Sequence, residues 1–86
     1  MNIQIYPQVN KNIAVSSEQK KLLARNKSFK QYIKQVRGDN PNYKVIVRPS
    51  GTENIVRVTV EGEEEKVCEE INRVLTEEIE KYKMLV

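Results

Sequence analysis

The 86-residue chain has a mass of 10.0 kDa, 38% hydrophobic and 31% charged residues, and a formal net charge of +3. This size predicts one domain, residues 1–86, burying about 60–65% of its unfolded surface, and the composition is that of a globular chain rather than a disordered tail. With no histidine and one cysteine, Ser-His-Asp or Cys-His catalysis, an internal disulfide and a zinc site of the usual N/S type are excluded.

The N-terminal MNIQIYPQV lacks the basic start and apolar block of a signal peptide. No apolar run approaches the roughly 20 residues that span a bilayer. With the lone Cys68, this predicts a cytoplasmic, reducing setting and no membrane partner. Residues 3–15 begin as an extended segment, because Pro7 forbids a helix interior and biases Tyr6 toward β or polyproline geometry. Asn12–Val15 is expected to pair as a short edge strand.

Ser16 and Ser17 precede a run in which either could cap a helix. Leu22, Leu23, Phe29, Ile33 and Val36 are its apolar positions, the last three at helical spacing. Asn26 and Ser28 interrupt the pattern. The expectation is a short first turn, a main helix from about Lys27 to Arg37, and a stop at Gly38. A turn at residues 39–42 follows.

YKVIV and IVRVTV alternate as strands do. The six residues between Val47 and Asn54 make them an antiparallel hairpin, closed by Gly62. In the last segment, Val67, Cys68, Ile71, Val74, Leu75, Ile79 and Tyr82 form a helical stripe, with acids in the first turn and Lys81 and Lys83 in the last. Cys68 lies on the stripe and reads as core. The order strand, helix, strand, strand, helix predicts an α+β fold with two helices on one face of an antiparallel sheet.

Charge is uneven. Residues 1–57 hold eleven Lys/Arg against three acids, and residues 58–86 hold four against nine. The positive part could attract phosphate, nucleic acid or an acidic surface, or its lysines could simply solvate a helix. Phe29, Tyr32 and Tyr43 lie among these basic residues, so a small α+β nucleic-acid-binding domain is the alternative function. No RNA-binding motif is present, and Phe29 is also wanted for the core.

The stretch Val47–Val58, VRPSGTENIVRV, carries the chemistry. Phosphate oxygens need converging donors, and a glycine-containing loop can turn backbone N–H groups inward. Ser50 and Thr52 add hydroxyls beside Gly51. Arg48 supplies a planar fork, and Pro49 stiffens the start of the loop. If the hairpin folds back, Arg57 joins Arg48. The same residues also suit an ordinary turn, and both readings stand on composition alone.

RPSGTEN followed by VRVTVEG resembles the phosphate-binding loop of the α-D-phosphohexomutases, and YPQVNKNIAV is similar to the start of the same domain in their phosphoglucosamine mutase branch. The resemblance runs from Tyr6 through the final helix. It implies the fourth, C-terminal domain of a four-domain enzyme, a TATA-box-binding-protein-like fold. It also implies hexose 6-phosphate/1-phosphate interconversion by an intramolecular phosphotransferase of the isomerase class. Arg48, Ser50, Gly51, Thr52 and Arg57 would then bind the substrate phosphate, with Pro49 and Glu53 supporting the loop. Asn54 stands where the family usually has proline, and Thr59 where methionine is common.

The family's catalytic serine, magnesium-binding aspartates and sugar-contacting loop have no counterpart here; Asp39 is the sole aspartate. The resemblance thus implies Mg2+ for the parent enzyme and no cofactor, metal ligand or catalytic residue in this chain. The implied partners are a phosphosugar and the parent's other domains, with no nucleic acid. Met1 is then expected to begin an excised piece or a truncated product.

Overall fold

The computed structural model describes residues 6–84, so Ile3–Ile5 of the expected extended segment lie outside the described residues. Three strands, β1 (Gln8–Ala14), β2 (Lys44–Pro49) and β3 (Ile55–Glu61), accompany three helices, α1 (Ser17–Arg25), α2 (Lys27–Asp39) and α3 (Glu65–Met84). The sheet order is β1-β3-β2, antiparallel throughout. Edge placement suits Pro49, which ends β2 and has no N–H to give a ladder.

Register sorts the side chains into two faces. Val9, Val60 and Val45 lie in one row, and Ile13, Val56 and Pro49 in another. These rows face the helices, and Val56, Val58 and Val60 are buried. The opposite face carries Asn10, Thr59 and Ile46 in one row and Asn12, Arg57 and Arg48 in the next. This face is polar and open, with Thr59 Oγ1 donating to Asn10 Oδ1 at 2.7 Å.

The first helical region differs from expectation in three ways. Residues 17–25 form a nine-residue helix rather than a single turn, so three helices pack where two were expected. Ser16 is the cap: its Oγ accepts from the Gln19 N–H, and Gln19 Oε1 accepts from the Ser16 N–H. That reciprocal box is what lets so short a helix form. Asn26, at φ −70° and ψ 113°, then ends one helix and starts the next. Its N–H donates to the Leu23 carbonyl, and its Oδ1 accepts from the Phe29 N–H. Of the leucine pair, Leu23 is buried and Leu22 is exposed. Gly38 does not stop α2, which runs to Asp39 and ends where Asn40 donates to the Val36 and Arg37 carbonyls.

The core is one cluster fed by all six elements. Leu75 and Ile79 are fully buried on α3, each contributing about 1.5–3 kcal/mol. Phe29 meets Tyr82 edge-on at 5.2 Å. Cys68 is fully buried and its Sγ–H donates to the Pro7 carbonyl at 3.8 Å. Burial first, then the Glu65 and Glu61 carboxylates, push its thiol above the ordinary value. Since only the thiolate reacts, maleimide should label the native chain on the order of 100-fold more slowly than the urea-unfolded chain. Equal rates, followed by mass spectrometry, would show that Cys68 is accessible.

Candidate functional site

The hairpin loop between β2 and β3 is ordered by its own backbone. The Ser50 N–H donates to the Ile55 carbonyl at 2.9 Å, closing the loop, and the Val15 N–H donates to the Asn54 carbonyl at 2.9 Å, tying it to the end of β1. Inside it, Ser50 Oγ accepts from the N–H groups of Glu53 at 3.1 Å and Thr52 at 3.4 Å. This is a serine turn of the kind that makes Ser common in such loops. Two of the backbone donors expected to converge on a ligand are therefore folded onto Ser50. What stays available is the Gly51 N–H, the Ser50 and Thr52 hydroxyl protons, and the arginine heads.

Arg48 and Arg57 are direct cross-strand partners. Partners in an antiparallel pair put their side chains on the same face, with Cβ atoms about 4.5–5.5 Å apart. The structure brings all seven residues singled out in the sequence to one place. Arg48, Pro49, Ser50, Gly51, Thr52, Glu53 and Arg57, with Ile55, line a concavity of about 360 Å³. Arg57 Nε donates to Asn12 Oδ1 at 3.2 Å, and its two terminal nitrogens have no acceptor among the described residues.

No ion pair among the described residues involves Arg48, Arg57 or Glu53. Like charges set directly opposite repel, and the one carboxylate lining the concavity, Glu53, makes no ion pair with either. Glu53 contributes to the loop through its main chain, its N–H donating to Ser50 Oγ and its carbonyl accepting from Lys20 Nζ. A site with two guanidinium forks, two hydroxyls and a free N–H, and with neither arginine ion-paired among the described residues, suits a small multivalent oxyanion.

Residues 11–81 match the family model described as phosphoglucomutase/phosphomannomutase, C-terminal domain. The chain belongs to this family. It is 38% identical over 74 residues to the phosphoglucosamine mutase of Thermotoga petrophila, a match covering 81% of this chain and 16% of that relative. It is 39% identical over 64 residues to the phosphoglucosamine mutase of Geobacillus kaustophilus, covering 73% and 14%. Against the phosphoglucosamine mutase of Bacillus subtilis it is 35% identical over 75 residues, covering 85% and 16%. The chain thus spans about 16% or less of the length of these curated relatives.

This phosphohexomutase C-terminal domain has structural traits that were not read in its sequence. Asn12 faces Arg57 only because of the β1–β3 register, which no local pattern announces. Lys20 reaches the loop from α1, donating to the Ser50 carbonyl at 2.8 Å and the Glu53 carbonyl at 3.1 Å; nothing in the sequence distinguishes it from its neighbour Lys21. Among the described residues, no group of three or more Cys, Asp or Glu side chains is placed to hold a metal ion.

The nucleic-acid alternative loses its footing. It needs exposed aromatics for stacking, whereas Phe29 is buried and Tyr32 and Tyr43 pack against the core. A larger groove of about 450 Å³ between α2 and α3, walled by Tyr32, Val36, Val67, Ile71 and Val74, has neither arginine. Among the described residues no helix is long and apolar enough to cross a membrane.

Proposed function

We propose that the concavity holds a phosphate group of a phosphosugar, and that the chain is the substrate-phosphate-binding part of a phosphohexomutase acting on glucosamine phosphates in the cytoplasm. The observation that carries this reading is the direct pairing of Arg48 with Arg57 on the open sheet face, beside Ser50, Gly51 and Thr52, with neither arginine ion-paired among the described residues. The named relatives, all phosphoglucosamine mutases, support the choice of sugar.

In this role the domain does no bond-breaking. Each guanidinium grips two phosphate oxygens, the Ser50 and Thr52 hydroxyls donate to others, and the Gly51 N–H approaches unhindered by a side chain. None of these contacts depends on the sugar, so one cradle serves a hexose carrying phosphate at either end. Binding energy gathered at this remote group orients the reacting end elsewhere in the parent enzyme.

Titration of the 15N-labelled chain with inorganic phosphate and glucosamine 6-phosphate tests it. Saturable shifts are expected at Gly51, Thr52 and the Arg48 and Arg57 side chains, with Kd on the order of 1 mM or weaker, because few exposed contacts offset the cost of association. Arg57→Ala should weaken binding about tenfold or more, the scale of a lost charged bidentate contact. Shifts confined to other surfaces, or an Arg57→Ala variant that binds like the unmodified chain, would overturn the reading.

A further inference from the structure

The loop is held from behind by a residue outside it, and that residue fixes which way a key donor points. Lys20 Nζ donates to the carbonyls of Ser50 and Glu53, which stand at the two ends of the turn, at 2.8 and 3.1 Å. The lysine comes from the sheet's inner side: with Leu23, Phe29, Val47, Pro49 and Val56 it lines an apolar cleft between helices and sheet. Arg48 and Arg57 occupy the other face. In a trans peptide the C=O and the following N–H point in opposite directions. Turning the Ser50 carbonyl toward α1 therefore turns the Gly51 N–H away from it, to the side of the arginines. No acceptor among the described residues takes that N–H.

We propose that Lys20 is a positioning residue for the hairpin loop: its ammonium spans the turn and presents the Gly51 N–H to the concavity. The inference rests on the phosphate reading for its purpose, though not for its test. The geometry supports a device rather than a chance contact. One cation joins two carbonyls of a loop 30 and 33 residues away. The helix bearing it is itself anchored, by the Ser16–Gln19 box and by Gln19 Nε2 donating to the Lys83 carbonyl at 3.2 Å. The lysine charge also adds to the positive field at the site from the inner face, where it does not compete for the anion.

Three versions of the 86-residue chain decide it: unmodified, Lys20→Met and Lys20→Arg. Methionine keeps the apolar stem and removes the donor; arginine keeps charge and can still reach two carbonyls. Amide hydrogen exchange and 15N relaxation of residues 50–55 read the loop directly, with the shifts of α3 checking that the fold is intact. Lys20→Met should raise exchange and fast motion at residues 51–54 and raise the phosphate Kd about five- to tenfold, the scale of a charge-assisted hydrogen bond. Lys20→Arg should restore most of both.

Loop dynamics in Lys20→Met equal to those of the unmodified chain would overturn the proposal. So would a weaker phosphate affinity with an unchanged loop, which would mean that Lys20 acts through charge alone. If the unmodified chain binds no phosphate, the functional reading fails, and the loop measurements still decide whether Lys20 orders the turn.

Discussion

Asn72→Asp should leave the chain largely unfolded at pH 7. Asn72 lies fully buried on α3, a polar side chain in the middle of an apolar stripe. Its Nδ2 donates to the carbonyls of Val9 at 3.0 Å and Val58 at 3.2 Å, and so joins α3 to two neighbouring strands. Its Oδ1 accepts from Thr76 Oγ1 at 3.2 Å. Aspartate removes both donors, sets an oxygen against two carbonyl oxygens, and buries a charge with no cation beside it. A buried charge left uncompensated costs about 3–5 kcal/mol, most of the stability of a domain this small, which is on the order of 5 kcal/mol.

Protonation relieves the variant, so its deficit depends on pH. The buried carboxyl is held above the ordinary aspartate value of about 3.9. The folded state then keeps its proton where the unfolded state has lost it, and stability relative to the unmodified chain falls as pH rises above about 4. Asn72→Leu, with similar volume and no charge, should cost only about 1–3 kcal/mol, with no such pH dependence. Urea unfolding at pH 4 and pH 7 separates the three chains; an Asn72→Asp deficit that is small, or flat with pH, would contradict the buried clamp.

Gly62→Ala is the second large effect. Gly62 follows β3 and is buried under the Tyr43 ring, without a positive φ. A Cβ there would overlap Cδ2 and Cε2 of that ring and come within 2.8 Å of its Cγ. Contact near the ring's root leaves no small rotation that clears the methyl, so the whole side chain must move. Tyr43 is also fixed at its far end, where its hydroxyl oxygen accepts from the Glu64 N–H at 3.3 Å, just before α3 begins. Displacing the ring thus disturbs the start of β2, the end of β3 and the first turn of α3 together. Overpacking of this sort costs about 2–3 kcal/mol. In a Tyr43→Ala background the same change should be nearly neutral, and thermal unfolding of the double-mutant cycle measures the coupling. Additive losses would place the strain elsewhere.

What could be read in the sequence was whatever is local. Alternating valines announced β2 and β3, the long apolar stripe announced α3, and RPSGTE with the spaced arginine announced a loop that gathers donors. Asn26 was seen as an interruption, but its double duty as cap to both neighbouring helices depends on dihedral angles. Gly38 suggested a helix stop, yet it sits within α2, because Asn40 offers both backbone and side-chain donors to the last carbonyls. Asn72 falls one turn after Cys68 on the buried stripe; a polar residue there signals a clamp only once the facing strands are known. Lys20 and Asn12 were hidden for the same reason, since their partners lie 30 or more residues away.

The strand order gives the two arginines unequal mobility. Arg57 stands on the central strand, backed by β1 and β2, with its Nε already held by Asn12. Arg48 stands on an edge strand, exposed, with no acceptor for its head group among the described residues. In the proposed phosphate role they would act as a pair of tongs with one fixed jaw and one hinged jaw. The fixed jaw would set where an incoming anion must sit, while the hinged one would give up rotamer freedom worth up to about 2 kcal/mol as it closes. Under that proposal, the asymmetry would let a single grip accept oxyanions arriving at somewhat different angles and release them again.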